Sequence, residues 1–74
     1  MRLDDMVEQL VEVEELHGQF TLNHKGVFEG SEDHLVAVRV SETKKNGHLL
    51  PGRPHLKWFN TRASTFVSIM LRER

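Results

Sequence analysis

The side chains from which this chain could build a reactive centre are five histidines, eleven carboxylates and a scatter of hydroxyls; cysteine is absent from its 74 residues. Without thiolates, neither a disulfide framework nor the usual cysteine-ligated zinc is available. A zinc site built from histidine and carboxylate normally shows a local pair, such as two histidines one turn apart on a helix. His17, His24, His34, His48 and His55 include no such pair, none standing closer than seven residues to the next. A nucleophile would have to be a hydroxyl, and Ser31, Ser41, Ser64 and Ser68 all lie outside any Gly-x-Ser-x-Gly elbow. The five glycines occur singly, so no glycine-rich phosphate cradle is present. The chain therefore reads as a non-enzyme with no metal and no cofactor.

Binding chemistry is better represented. The stretch from Lys44 to Phe59 holds Lys44, Lys45, Arg53 and Lys57 with His48 and His55, both prolines of the chain and its only tryptophan. Cations interleaved with planar faces suit nucleic acid, the cations meeting phosphates and the rings meeting bases. Lys44, Lys45, His48, Arg53, His55, Lys57, Trp58 and Arg62 are accordingly the candidate contacts to nucleic acid or another partner. Arg53, held between glycine and proline, is the first choice among them. Trp58 alternates with Leu56 and is expected to close the core, with Phe59 turned the other way.

Three short resemblances attach to these residues. Pro51-Gly52-Arg53-Pro54 resembles the Gly-Arg-Pro core of an AT-hook, with Pro51 standing where the hook has its second arginine. The same Gly-Arg followed by proline and tryptophan is similar to the minor-groove loop of nucleoid-structuring proteins. Either likeness implies insertion into a narrow minor groove. A helix, three strands and a helix is also the order of double-stranded RNA-binding domains, although Asn60-Thr61-Arg62-Ala63 offers one cation where they carry a lysine-rich helix start.

The charge is divided along the chain. Residues 1–38 carry two cations and nine carboxylates, and residues 39–74 carry eight cations and two carboxylates. The halves either neutralise each other across the fold or serve charged partners. The second case gives an alternative function: a protein-binding inhibitor or adaptor, docking on a basic partner through the acidic face Glu8, Glu12 and Glu15 and through the loop.

The elements that must position these residues follow from periodicity. Leu3, Met6, Leu10, Val13 and His17 fall at 3-4-3-4 spacing, with Asp5-x-x-Glu8 as a capping box and Gly18 as a stop, which predicts an amphipathic first helix. Glu14 sits against that pattern. Gln19–Leu22 and Val27–Gly30 predict a short hairpin turning at Asn23-His24-Lys25-Gly26, and 34–41 predicts the clearest strand, with Val36, Val38 and Val40 on one face. Asn46-Gly47 predicts a tight hairpin turn, and Pro51 and Pro54 allow only an edge or irregular return. Leu56–Phe59 predicts a last short strand or a direct run into a final helix at 62–72, for which Val67, Ile69 and Leu71 leave a strand as the competing choice.

The expected fold is thus α+β, an αβββα order with an N-terminal helix, a small antiparallel sheet of three or four short strands and a C-terminal helix, in one domain spanning 1–74. A chain this short buries only about 60% of its unfolded surface, which makes homodimerisation through the first helix a natural support. Met1-Arg2-Leu3-Asp4-Asp5 lacks the build of a signal peptide, and no apolar run approaches the roughly 20 residues of a membrane span, so a soluble cytoplasmic protein is expected.

Overall fold

The computed structural model describes residues 6–72. They form one antiparallel sheet of six strands: β1 Leu10–His17, β2 Phe20–Glu32, β3 Leu35–Lys45, β4 His48–Leu49, β5 His55–Asn60 and β6 Phe66–Leu71. Neighbours run β6, β1, β2, β3, and the far edge of β3 is shared by β4, against Lys44 and Lys45, and β5, against Leu35 to Val40. No helix is present among the described residues, so the expected α+β architecture is corrected to all-β, and the likeness to the double-stranded RNA-binding order falls with it. The part of the first-helix expectation that rests on Leu3, Asp4 and Asp5 lies outside the described residues.

The reason is visible in β1. Val11 and Val13 are fully buried while Glu12 and Glu14 alternate with them on the other face, a period of two that β2 and β6 complete from both sides. Within β1 the helical set breaks up, Leu10 falling on the face opposite Val13, and β-branched valines with strand partners on both sides decide for the sheet. The same holds for 62–72. Asn60 to Thr65 makes tight turns, Ala63 N–H donating to Asn60 C=O and Phe66 N–H to Ala63 C=O, and β6 then pairs with β1.

The predicted hairpin at 23–26 is likewise replaced by continuous strand. Thirteen residues of straight β2 would span roughly 43 Å, more than the molecule's longest dimension of 30 Å, so the strand has to bend. It does so where the register with β3 slips, between Lys25 and Gly26 and again between Phe28 and Gly30. Gly26 is obligatory there, because a Cβ would run into the Arg39 carbonyl of β3. The bent sheet wraps its own apolar face. Phe59 of β5 and Phe66, Ile69 and Leu71 of β6, from opposite ends of the strand order, meet the same core of Val11, Val13, Phe28, Val36 and Val38.

Asn46 and Gly47 take φ of 50° and 86°, the two left-handed residues of a type I′ turn. Asn46 also accepts the Thr21 N–H on its Oδ1 at 2.9 Å, tying the turn to the start of β2.

The sheet does not close into a barrel. Thr61 N–H donates to the His34 carbonyl, so by antiparallel alternation Phe59, Lys57 and His55 face β3, and Leu56, Trp58 and Asn60 turn their backbone groups to the open side. Arg72 N–H donates to the Leu10 carbonyl, so Met70 and Ser68 face β1, and the N–H and C=O of Ile69 and Leu71 point outward. The open edge of β5 therefore carries residues whose side chains lie on the outer face, and that of β6 carries residues whose side chains lie on the inner face. Directly opposed residues of an antiparallel pair share a face, so these two edges are out of phase with each other. β5 and β6 stay unpaired.

Candidate functional site

Hairpin β3–β4 and the loop that follows carry most of the cations predicted as contacts. The type I′ turn extends β3 beyond its pairing with β5 and presents Lys44 and Lys45 at its end, with His48 directly across from Lys45. Leu50 N–H donates to the Thr43 carbonyl and closes the hairpin. The chain then runs without strand through 50–54, exposed throughout, before His55 opens β5. His55 Nδ1 lies 2.8 Å from the Arg53 carbonyl, which bends the loop back towards the sheet.

Neutralisation sorts the cations. Lys25 meets Glu42, Arg39 meets Glu29, Arg72 meets Glu12 and Lys57 meets Glu15, each at 3.5 Å. Three of these pairs join the acidic first half to the basic second half, so part of the charge division is cancelled inside the fold. Among the described residues, Lys44, Arg53 and Arg62 make no ion pair, and Lys45 lies 3.8 Å over the Phe20 ring instead. Lys44, Lys45 and His48 lie at the hairpin end, with the two lysines on opposite faces of the sheet, and Arg53 follows in the loop. Arg62 lies apart from them, since it sits in the turn at the other end of β5, roughly 20 Å of strand away. Lys57 is withdrawn to the inner face.

Trp58 and Phe59 exchange the roles expected of them. Phe59 is 3% exposed and packs on Val36, while Trp58 is 50% exposed and Leu56 44% exposed, both on the outer face of the edge strand. The pairing of β5 with β3 fixes this, because Val36 and Val38 are inward and set Phe59 and Lys57 opposite themselves.

The acidic face of the alternative reading has no counterpart. Glu8 lies in a turn with φ of 68°. Glu12 is on the outer face, accepting from Asn23 Nδ2 at 3.2 Å and meeting Arg72. Glu15 is on the inner face. The three carboxylates share no surface.

One cluster escaped the sequence. His24, 4% exposed in the middle of β2, has Nδ1 2.9 Å from Thr43 Oγ1 and Nε2 2.7 Å from Glu15 Oε1, with Lys57 Nζ on the same carboxylate oxygen. The Phe59 ring stands 5.0 Å from the imidazole. Desolvation pushes the His24 pKa below 6.5, against the raising influence of the Glu15 hydrogen bond and charge, with Lys57 and His55 adding to the lowering. The neutral ring then donates from Nε2 to Glu15 and accepts the Thr43 hydroxyl at Nδ1. A hydroxyl, an imidazole and a carboxylate in line form the order of a nucleophilic relay. Here the hydroxyl belongs to a strand residue, Thr43, that stands directly opposite His24 in the β2–β3 pairing. The cluster satisfies a buried histidine and joins β1, β2, β3 and β5. The only trace of it in the sequence is that Leu22, His24, Gly26 and Phe28 continue a period of two through the segment read as a turn. No metal-binding group of three His, Asp or Glu side chains occurs among the described residues.

No protein-family model, curated protein or solved structure matches this chain.

Proposed function

We propose that this protein is a small non-enzymatic nucleic-acid-binding module whose contact surface is the β3–β4 hairpin end and the proline loop. The observation that carries the reading is that no carboxylate occurs from Thr43 to Arg72, and that Lys44 and Lys45 on the hairpin and Arg53 in the loop make no ion pair among the described residues. Pro51 and Pro54 stiffen the loop, so Arg53 loses little freedom on contact.

Three cations, Lys44, Lys45 and Arg53, set the electrostatic contribution, because Lys57 is already paired with Glu15 and Arg62 lies beyond the far end of β5. Neutralising about three phosphates gives log K against log salt a slope of about −2 to −3. Titration of labelled single strands and duplexes over a range of salt reads that slope directly. Absence of binding at low salt and high protein concentration rejects the proposal.

A protein partner is the second reading. Its acidic helix face is gone, and what favours it now is exposed Leu56 and Trp58 on a strand with an open edge, the arrangement that accepts an added strand. Leu56→Lys separates the two, since it leaves phosphate contacts intact and spoils an apolar seat.

A further inference from the structure

Among the described residues the edge strand β6 is guarded only by the irregularity at Val67. Natural sheets protect their edges with charge, proline, bulges or a covering element, because a row of unpaired amides templates further strand pairing. Phe66-Val67-Ser68-Ile69-Met70-Leu71 contains no charged residue, no proline and no glycine. Val67 and Met70 are 47% and 57% exposed. The other open edge is better defended, with Pro54 before it and Lys57 within it. β6 is thus the place where something must be covered, and its hydrogen-bond phase says by what.

We propose that β6 pairs antiparallel with β6 of a second copy, making a two-fold dimer with one sheet continuous across it. The outward-facing amides are those of Ile69 and Leu71, whose side chains lie on the inner face. The β5 edge of another copy cannot meet them in an antiparallel ladder that keeps inner faces aligned, because its free amides belong to outer-face residues. The same β6 segment can, since any strand is in phase with itself. With Met70 on the two-fold axis, Ile69 and the second copy's Leu71 form a hydrogen-bonded pair, and the symmetric pair repeats it. This register keeps clear of the irregularity opposite Glu14 and Glu15. On the inner face the Ile69 and Leu71 side chains of the two copies extend one core into the other. On the outer face the two Met70 side chains meet, and no like charges are opposed.

The dimer also supplies what so short a chain lacks, additional buried apolar surface with no disulfide or metal. It places two basic hairpin ends on one particle, which adds avidity to the binding proposed above but does not depend on it.

Sedimentation equilibrium of the full chain over a concentration series tests the dimer, together with amide exchange at Ile69 and Leu71. The expected mass is twice the 8.6 kDa chain, with exchange at both amides slowing as dimer accumulates while Leu56 and Trp58 amides stay fast. Met70→Lys, an outward change that the fold tolerates, sets two cations against each other on the axis and weakens dimerisation by about tenfold or more; Leu56→Lys leaves it unchanged. A monomer at all concentrations, fast exchange at Ile69 and Leu71 in a dimer, or a dimer lost on Leu56→Lys and kept on Met70→Lys each overturns the proposal. Nucleic-acid titration of the Met70→Lys monomer keeps this result separate from the functional one.

Discussion

His24 and Phe59 carry more of the fold than their place in the sequence suggests. His24 bridges a hydroxyl and a carboxylate in the interior, and burial holds its pKa below 6.5. The unfolded chain therefore takes up a proton at a pH where the folded one resists it. Unfolded protein binding more protons means stability rising with pH. As pH falls from about 6.5 the folded state loses stability, until the folded imidazole itself protonates and the loss levels off. Denaturant midpoints measured across this window should decline in the native chain, and His24→Gln, which keeps a donor and an acceptor but does not titrate, should flatten that part of the curve. A native profile that is flat or rises on acidification contradicts the assignment. Its neighbour in the core gives a sharper contrast. Phe59→Ala should cost about 3–5 kcal/mol, a large share of what a domain of this size possesses. Trp58→Ala, at a half-exposed position, should cost about 1 kcal/mol or less. Reversal of that order in chemical denaturation would mean the strand faces the other way.

At the scale of elements, β3 and its hairpin were legible and the terminal segments were not. The Val36-Val38-Val40 alternation and the Asn46-Gly47 turn are local signals, complete within a dozen residues, and the fold uses both. β1 and β6 are strands because they pair with each other and β1 with β2, across separations of up to sixty residues, which no local pattern records. Glu14 inside a supposed apolar stripe was the discordant sign in β1, and the alternation of Val67, Ile69 and Leu71 was the one in β6. The missed cluster has the same origin, since His24, Glu15, Thr43 and Lys57 meet only once four strands have been assembled. β2 depends on its bend, and Gly26 permits the close approach of β3. Gly26→Ala forces the Arg39 carbonyl to move and should cost on the order of 1–3 kcal/mol, whereas Gly52→Ala, with open space around its Cα, should be close to neutral. Equal midpoints for the two variants would show that the strands do not approach so closely.

At the scale of the whole molecule, three ion pairs among the described residues cancel part of the chain's charge division. Glu12 with Arg72, Glu15 with Lys57 and Glu29 with Arg39 bring the acidic and basic halves face to face, leaving a local excess of cation at the hairpin end and the proline loop. That removes the acidic docking face considered from the sequence and reduces the basic site from an extended stretch to Lys44, Lys45, His48 and Arg53. The sequence marks the basic stretch but does not tell which of its cations the fold pairs with carboxylates, as it pairs Lys57 with Glu15. Trp58 came out on the surface because its parity follows β3, which the sequence around it does not show. The measurement that bears most directly on the proposed role compares nucleic-acid affinity of the native chain with that of Lys44→Glu/Arg53→Glu across a salt series. The account predicts weaker binding by the double variant, with the magnitude of the salt slope reduced by about two and an unchanged thermal midpoint. Identical affinity and slope for the two proteins would contradict it.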